Sequence, residues 1–164
     1  FGHKQHGKDT FCEYVRDTYG LSFESSSMYA CKAFLFDKLK DSHGYSSIEE
    51  CYEDRVNHRA LWYNEIVAYN TPDKARLGKE LFAKYDVYCG IRNIDEFNEL
   101  KKHGLFDLAI YVDASKRLPL EDESSMTMTI DQADIVISNN ESKERFYASI
   151  DNLFKDIDKL IKKK

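Results

Sequence analysis

The chain has 164 residues, of which 42% are hydrophobic and 32% charged, and its formal net charge is −5. This length suffices for one domain with a hydrophobic core, and no apolar run approaches the roughly 18–20 residues that cross a bilayer. The negative charge gives no electrostatic reason to expect duplex nucleic acid as the main ligand. We therefore expect a soluble protein that has neither nucleic acid nor membrane as a partner.

The chain begins with FGHKQHGKDT, in which Gly2, Gly7 and Lys8 have the spacing G-x-x-x-x-G-K. In a P-loop of this pattern, backbone N–H groups cradle phosphate and the lysine reaches the outer phosphates. The stretch therefore predicts a binding site for the phosphates of ATP. Its residues are Gly2, His3, Lys4, Gln5, His6, Gly7, Lys8, Asp9 and Thr10.

The position after the lysine departs from this pattern, which places there a Ser or Thr hydroxyl that binds Mg²⁺. Here Asp9 follows Lys8, and the hydroxyl comes one residue later at Thr10. A carboxylate suits Mg²⁺, and it also suits the first turn of a helix, so both interpretations of Asp9 remain open. We predict Asp9 and Thr10 as metal ligands, and we interpret His3 and His6 as acting through their backbone N–H groups.

Helical periodicity and turn signals divide the first half of the chain into alternating elements. A helix is predicted over 8–20, ending at Gly20, followed by a strand over 21–23 and a capped helix over 24–41. One helix of about six turns is predicted over 46–70. Pro72 is predicted in the first turn of the next helix, because proline is favoured there.

The second half continues the alternation. Buried strands are predicted at DVYCGI (86–91), FDLAIYVDA (106–114) and ADIVISN (133–139), and helices at 92–104 and 141–164. Strands alternating with helices indicate an α/β fold with a mostly parallel sheet flanked by helices, and ligands at the carboxyl ends of the strands. The long polar stretch within about 114–130 is a candidate lid.

Phosphoryl transfer needs positive charge around the phosphates, so the arginines are the next candidates. Arg92 directly follows the predicted strand DVYCGI and is predicted to be catalytic, with a structural ion pair to Asp95 or Glu96 as the alternative. Arg117, beside Lys116 in the candidate lid, is predicted to close over the phosphates, with a solvated loop charge as the alternative.

Further arginines lie nearer the middle of the chain. Arg55 and Arg59 are four residues apart, which predicts one helix face, and Trp62 follows three residues after Arg59. Arg59 and Trp62 are candidates for binding the acceptor phosphate and stacking its base. The alternative is a charged helix face paired with Glu53 and Asp54, which we favour for Arg55 and leave open for Arg59. Arg76 is a further candidate for the acceptor phosphate.

Cys12, Cys31, Cys51 and Cys89 are scattered without the C-x-x-C pairs or mixed His/Cys spacing of metal sites. Isolated cysteines of this kind are typical of reduced, buried thiols. They indicate a cytoplasmic protein.

Three stretches resemble the deoxynucleoside monophosphate kinases of bacteriophages: GHKQHGKDT, YDVYCGIRNIDEFNELKKHG and ADIVISNNESKERFYASIDNLF. The resemblance implies ATP- and Mg²⁺-dependent phosphorylation of a deoxynucleoside 5′-monophosphate in the host cytoplasm. It also implies a three-layer, adenylate-kinase-like P-loop domain over 1–164, whose first strand lies upstream of Phe1, and it leaves a homodimer open. Lys8 would bind the donor phosphates, Asp9 and Thr10 the metal, and Arg92 the transferred or acceptor phosphate.

Two other functions remain open at this point. A P-loop kinase for another small metabolite would have the same loop and lid. A nucleotide-binding module without phosphoryl transfer would also keep the loop, although the sequence has no N-K-x-D-like segment of the kind that reads a guanine base.

Overall fold

The structure, a computed structural model, describes residues 1–121 and 126–161. Contacts divide these residues into two compact units. Unit 1 contains residues 1–21, 108–121 and 129–161, and unit 2 contains residues 22–107 and 126–128. Within the described residues, no helix combines the length and the apolar character needed to cross a membrane.

Helices and short strands alternate along the chain. The strands are β1 (Phe23–Ser25), β2 (Val87–Cys89), β3 (Ile110–Asp113) and β4 (Ile135–Ser138). The α-helices are α1 (Lys8–Tyr19), α2 (Ser26–Ala30), α3 (Phe36–His43), α4 (Ile48–Asp54), α5 (Arg59–Tyr69), α6 (Arg76–Phe82), α7 (Ile94–Lys102) and α8 (Lys143–Ile161). A π-helical turn, Cys31–Leu35, joins α2 to α3, and a 3₁₀ turn, Ile130–Gln132, precedes β4.

Unit 1 contains the parallel pair β3–β4, with Ile110 opposite Ile135 and Asp113 opposite Ser138. The main chain of Phe1 also bonds to β3. Its amino group donates to the carbonyl of Ile110 (2.7 Å), and Val112 N–H donates to the carbonyl of Phe1 (2.9 Å). Because these two bonds flank one residue of β3, they have the pattern of a parallel bridge.

Helices α1 and α8 of unit 1 are joined by aromatic stacking. Tyr14 stacks on Tyr147 with ring centroids 4.1 Å apart, and Tyr19 stacks on Phe154 at 4.0 Å. The hydroxyls of Tyr14 and Tyr19 both donate to one carboxylate oxygen of Asp151, at 2.9 and 2.7 Å. These contacts place the apolar face of α1 against α8.

Unit 2 contains the parallel pair β1–β2, with Phe23 opposite Val87 and Ser25 opposite Cys89. Its hydrophobic core is formed by side chains of helices α2 to α6. At Gly78, an added Cβ would lie 2.5 Å from the buried Leu100 side chain, so helices α6 and α7 pack in close contact. The residue at position 78 must therefore be small.

The helix predicted over 46–70 is wrong as a single element. Helix α4 ends at Asp54 and α5 begins at Arg59. The carboxylate of Asp54 accepts a hydrogen bond from Asn57 (2.7 Å) and pairs with His58 (3.1 Å), which stabilises the turn between the helices. Arg55 therefore caps α4 while Arg59 starts α5, and the prediction that both lie on one helix face is also wrong.

The predicted helix start at Pro72 is wrong as well, since α6 begins at Arg76. The peptide bond before Pro72 is cis. Asp73 then forms a turn in which its carboxylate accepts the Ala75 N–H (3.0 Å) and its carbonyl accepts the Arg76 N–H (3.0 Å). An aspartate whose carboxylate accepts the backbone N–H two residues later stabilises a turn, and this turn competes with helix initiation.

Other predicted elements are confirmed within a few residues. The strand predicted over 133–139 forms as β4, but the prediction that it is buried is wrong, because Val136 is 46% exposed and only Ile137 is buried. Ser25 caps α2 by accepting the Met28 N–H, and Asn93 caps α7 by accepting the N–H groups of Asp95 and Glu96. The strand predicted at 21–23 lies at Phe23–Ser25 instead. The chain thus mixes helices with short parallel strand pairs, which is compatible with the predicted α/β class.

Candidate phosphate-binding site

The segment between Phe1 and α1, residues 2–7, forms a compact loop that we call the glycine loop. Three of its residues have a positive φ: Gly2 (145°), Gln5 (61°) and Gly7 (103°). A Cβ on Gly2 would lie 2.5 Å from the backbone carbonyl oxygen of Val112. Gly2 therefore fulfils two conditions at once, because other residues rarely adopt its φ and none fits beside β3.

The glycine loop leads directly into the N-terminus of α1. Helix α1 begins at Lys8, and the capping residue Gly7 contributes no side chain to it. The first N–H groups of a helix have no partner within the helix, and together with its dipole they attract anions. The Lys8 ammonium lies back across the loop and donates to the carbonyl of His3 (2.6 Å).

The rings of the two histidines in the glycine loop bond to backbone groups outside the loop, and the phosphate-binding role predicted for their backbone N–H groups stays a prediction. His6 is fully buried, and its Nδ1 accepts the Ala114 N–H (3.1 Å). The ring proton therefore lies on Nε2, which faces the carbonyl of Pro119 (3.3 Å). His3 Nδ1 accepts the Glu121 N–H (2.9 Å). Both rings thus fasten the loop to the segment 114–121 that follows β3.

Asn139, which directly follows β4, is a contact of the glycine loop that sequence reasoning missed. Its side-chain amide donates to the carbonyl of His6 (2.9 Å), and its backbone N–H donates to the carbonyl of Asp113 (2.6 Å). A Cβ on Gly7 would lie 2.4 Å from the amide nitrogen of Asn139. The only sequence signal for this role was the position of an asparagine at the carboxyl end of a buried strand.

Asp113 and Asn140 form a second missed pair at the ends of β3 and β4. Asn140 donates to the carboxylate of Asp113 (2.8 Å) and accepts the Lys116 N–H (2.9 Å). Burial raises the pKa of Asp113, but the hydrogen bonds from Ser115 and Asn140 outweigh it, so this pKa lies below its ordinary value. Asp113 is therefore an anion at neutral pH.

Arg117 lies in unit 1, as do Lys8, Asp9 and Thr10. Its exposed guanidinium donates from two nitrogens to the carbonyl of Asn139, at 2.8 and 2.5 Å. Because Asn139 also bonds to His6, Arg117 is connected to the glycine loop through one residue. Residues 122–125 of the predicted lid, including Ser124 and Ser125, lie outside the described residues, as do the last three lysines.

The predicted acceptor-binding residues Arg59, Trp62, Arg76 and Arg92 all lie in unit 2. Arg92 lies three residues after the end of β2, and its carbonyl accepts the Thr127 N–H (3.0 Å). The side chain of Thr127 in turn accepts the Ile94 N–H (2.9 Å). These bonds hold the turn that carries Arg92 between β2 and α7.

The other three acceptor candidates lie on helices of unit 2. Arg59 is the half-buried first residue of α5. The Arg76 guanidinium lies over the Tyr69 ring (3.9 Å) and pairs with Glu80 (3.3 Å). Trp62 is only 4% exposed and packs in the core, where its indole N–H has no hydrogen-bond partner among the described residues. Its role in base stacking stays a prediction.

A buried carboxyl group follows the Arg92 turn. Glu96, in the first turn of α7, is 3% exposed and accepts a hydrogen bond from the Tyr88 hydroxyl (2.8 Å). Burial raises the pKa of Glu96 to about 7, although the bonds from Tyr88 and Asn70 lower it in part. Burial and the neighbouring carboxyl group also raise the pKa of Tyr88.

We expect Glu96→Gln to stabilise the protein at pH 8 but not at pH 5. The pKa of Glu96 is higher in the folded protein than in the unfolded chain, so the folded protein binds the Glu96 proton more tightly. The free energy of unfolding therefore decreases as the pH rises from about 4.5 to 7. The loss corresponds to roughly 3 kcal/mol, since one pKa unit is about 1.4 kcal/mol. Urea unfolding at both pH values checks this, with Glu53→Gln on the exposed side of α4 as control. Equal effects of Glu96→Gln at both pH values would contradict it.

The described residues contain no group of three or more His, Cys, Asp and Glu side chains arranged to hold a metal ion. The predicted ligands Asp9 and Thr10 lie in the first turn of α1. A P-loop magnesium ion takes most of its ligands from phosphate and water, so one carboxylate or hydroxyl is what the protein must supply. These two residues fit that requirement.

Comparison of the chain with protein-family models and with curated proteins finds no match. Function must therefore be inferred from the residues and their geometry. The feature with the clearest chemistry is the glycine loop at the start of α1, with Lys8 lying across it.

Proposed function

We propose that the protein is a kinase that transfers the γ-phosphoryl group of ATP to a deoxynucleoside 5′-monophosphate. One observation carries the proposal: a loop with positive φ at Gly2 and Gly7 enters the N-terminus of α1 and is crossed by the Lys8 ammonium. This combination of N–H groups, helix dipole and lysine suits a phosphate chain. The resemblance to phage nucleotide kinases adds the substrate class.

The three-layer P-loop fold is part of the proposal. It is supported by the parallel pairs β1–β2 and β3–β4 and by the parallel bridge between Phe1 and β3. In a P-loop protein, the strand before the loop pairs with a neighbour in this way, and the loop begins at its carboxyl end.

On the donor side, the glycine loop and Lys8 would bind the β- and γ-phosphates of ATP. Asp9 and Thr10 would hold Mg²⁺, which neutralises charge on the phosphates when it is bound. In the structure, Lys8 donates to the carbonyl of His3, so ATP binding would exchange this bond for one to phosphate. Arg117, on the segment that the loop histidines fasten, would add positive charge.

On the acceptor side, Arg92 would bind the phosphate that is attacked or transferred, and Arg59, Trp62 and Arg76 would bind the rest of the nucleotide. A phosphate monoester is already a dianion near neutral pH, so no general base is needed for it to act as the nucleophile. Catalysis then rests on positioning and on neutralising charge.

The test is a coupled assay for ADP release from ATP and Mg²⁺, run with a panel of deoxynucleoside and ribonucleoside monophosphates. Turnover that depends on one or a few deoxynucleotides would support the proposal. ATP binding without turnover on any nucleotide would favour a kinase for another metabolite or a non-catalytic nucleotide-binding module. No binding of ATP at all would refute all three.

We expect Arg92→Ala to lower turnover about 100-fold, the usual cost of removing one charged group that stabilises a transition state. The hydrogen bond that the Arg92 carbonyl accepts from the Thr127 N–H joins two main-chain groups and remains in the variant, and thermal unfolding checks that the fold persists. Steady-state kinetics at saturating ATP measures the effect, and Arg145→Ala, an exposed change on α8, is the control. Full activity of Arg92→Ala would remove this residue from the site.

A further inference from the structure

Asn139 contacts the glycine loop from outside, at a single peptide group. Its side-chain amide donates to the carbonyl of His6 at 2.9 Å, next to the N–H of Gly7 where α1 begins. Within the loop, the carbonyl of His3 accepts a hydrogen bond from the Lys8 ammonium. Asn139 therefore donates a hydrogen bond to the loop from outside the loop.

The position of the Asn139 side chain is determined by its own backbone. Its N–H donates to the carbonyl of Asp113 (2.6 Å), and its carbonyl accepts both bonds from Arg117. The residue therefore joins the ends of β3 and β4, and the amide projects from a rigid base. A side chain anchored in this way can hold a partner at a defined orientation.

The Asn139 amide lies in the space that a side chain at position 7 would occupy. A Cβ at Gly7 would come within 2.4 Å of the Asn139 amide nitrogen, far closer than real Cβ atoms approach other atoms. Glycine at this position therefore permits both the positive φ of 103° and the approach of Asn139. His6, whose carbonyl accepts the hydrogen bond from Asn139, is fully buried.

We propose that Asn139 is a positioning residue that keeps the His6 carbonyl turned away from the bound anion. A carbonyl oxygen that faced a phosphate would repel it, whereas the adjoining N–H groups attract it, so an anion-binding loop needs its carbonyl groups directed outward. The bond from Asn139 stabilises that orientation before any ligand arrives. This proposal rests on the proposed function for the identity of the ligand, although the loop orientation does not depend on it.

The test compares wild type with Asn139→Asp, Asn139→Ala and the control Asn152→Asp. The first replaces the donor by an oxygen that repels the His6 carbonyl, and the second removes the donor. Asn152→Asp makes the same change of charge on the exposed side of α8. Two quantities are measured: deuterium uptake of residues 1–10 without nucleotide, and the affinity for ADP with Mg²⁺ by calorimetry.

We expect both Asn139 variants to take up deuterium faster in residues 1–10 and no faster in α8, which belongs to the same unit, while the control matches wild type. ADP affinity should fall about tenfold, which corresponds to about 1.4 kcal/mol. In the kinase assay, KM for ATP should rise while KM for the acceptor stays unchanged. A general loss of stability of unit 1 would instead also speed uptake in α8.

Uptake in residues 1–10 equal to wild type, or ADP affinity within twofold of a wild type that binds ADP, would overturn the proposal. If wild type does not bind ADP, the kinase assignment fails, and loop uptake alone decides whether Asn139 orients the loop. If Asn139→Asp does not fold, Asn139→Ala decides by the same criteria, since it introduces no charge.

Discussion

Lys8→Ala should lower turnover about 100- to 1,000-fold while leaving the fold intact. In the proposed reaction its ammonium neutralises charge on the transferred phosphoryl group, and such contacts contribute about 3–4 kcal/mol or more to transition-state stability. Within the protein, the variant loses the hydrogen bond that the Lys8 ammonium donates to the His3 carbonyl, and the net contribution of such a bond to stability is typically about 1 kcal/mol. Coupled ADP release measures turnover, and thermal unfolding measures the fold.

The control for this prediction is Lys155→Ala, which removes the same charge from the exposed surface of α8. It should keep full activity. If Lys8→Ala retained more than a tenth of wild-type turnover, the glycine loop would not bind the donor phosphates in the way proposed. A large drop in melting temperature of Lys8→Ala would instead assign the lysine a structural role.

Gly2→Ala is expected to have the largest effect on stability, costing about 3 kcal/mol or more. Its φ of 145° is strained for alanine, and the new Cβ would lie 2.5 Å from the Val112 carbonyl oxygen. Backbone of a strand cannot move aside as a flexible side chain can. Because a domain is typically stable by about 5–15 kcal/mol, this is a large share of the total.

Thermal and urea unfolding, followed by circular dichroism, measure this effect, and we expect a midpoint about 10 °C lower. Gly20→Ala is the matched control. Gly20 also has a positive φ, of 74°, but nothing lies within 4 Å of a Cβ there, so only the backbone strain of about 1 kcal/mol remains. Equal losses in the two variants would show that the contact with Val112 does not matter.

Local sequence patterns were sufficient to predict most helices and strands. Neighbouring residues determine the start of α1 after Gly7, the cap of α2 at Ser25 and the positions of β3 and β4. Such features are decided within a few residues of the chain. They are the reason why the mixed helix and strand class could be predicted.

The two helix errors arose where a side chain competed with the periodic pattern. Apolar spacing continued across 46–70, but Asp54 binds Asn57 and His58 and stabilises a turn between α4 and α5. Asp73 likewise competes with helix initiation after Pro72. Periodicity reports which face of a segment is apolar, and it does not report whether the backbone continues as a helix.

The loop itself could be predicted, but the residues that hold it in place could not. Asn139 lies more than 130 residues from His6, and the bond between them exists only because the chain folds β4 next to β3. The rings of His3 and His6 bind backbone groups beyond β3 for the same reason. A single sequence carries no signal for such pairings. The roles of Arg59, Arg76, Arg92 and Arg117 stay predictions.

The four buried cysteines provide chemical reporters of unfolding. Each carries a thiol; Cys12 lies in unit 1, and Cys31, Cys51 and Cys89 lie in unit 2. Burial raises the pKa of Cys31 to about 12 and also raises that of Cys51. Since the thiolate is the form that reacts, a buried cysteine is alkylated only after its unit opens and exposes the thiol to solvent. The rates at which Cys12 and Cys51 are alkylated would therefore give the opening equilibrium of each unit separately, from one sample of unmodified protein.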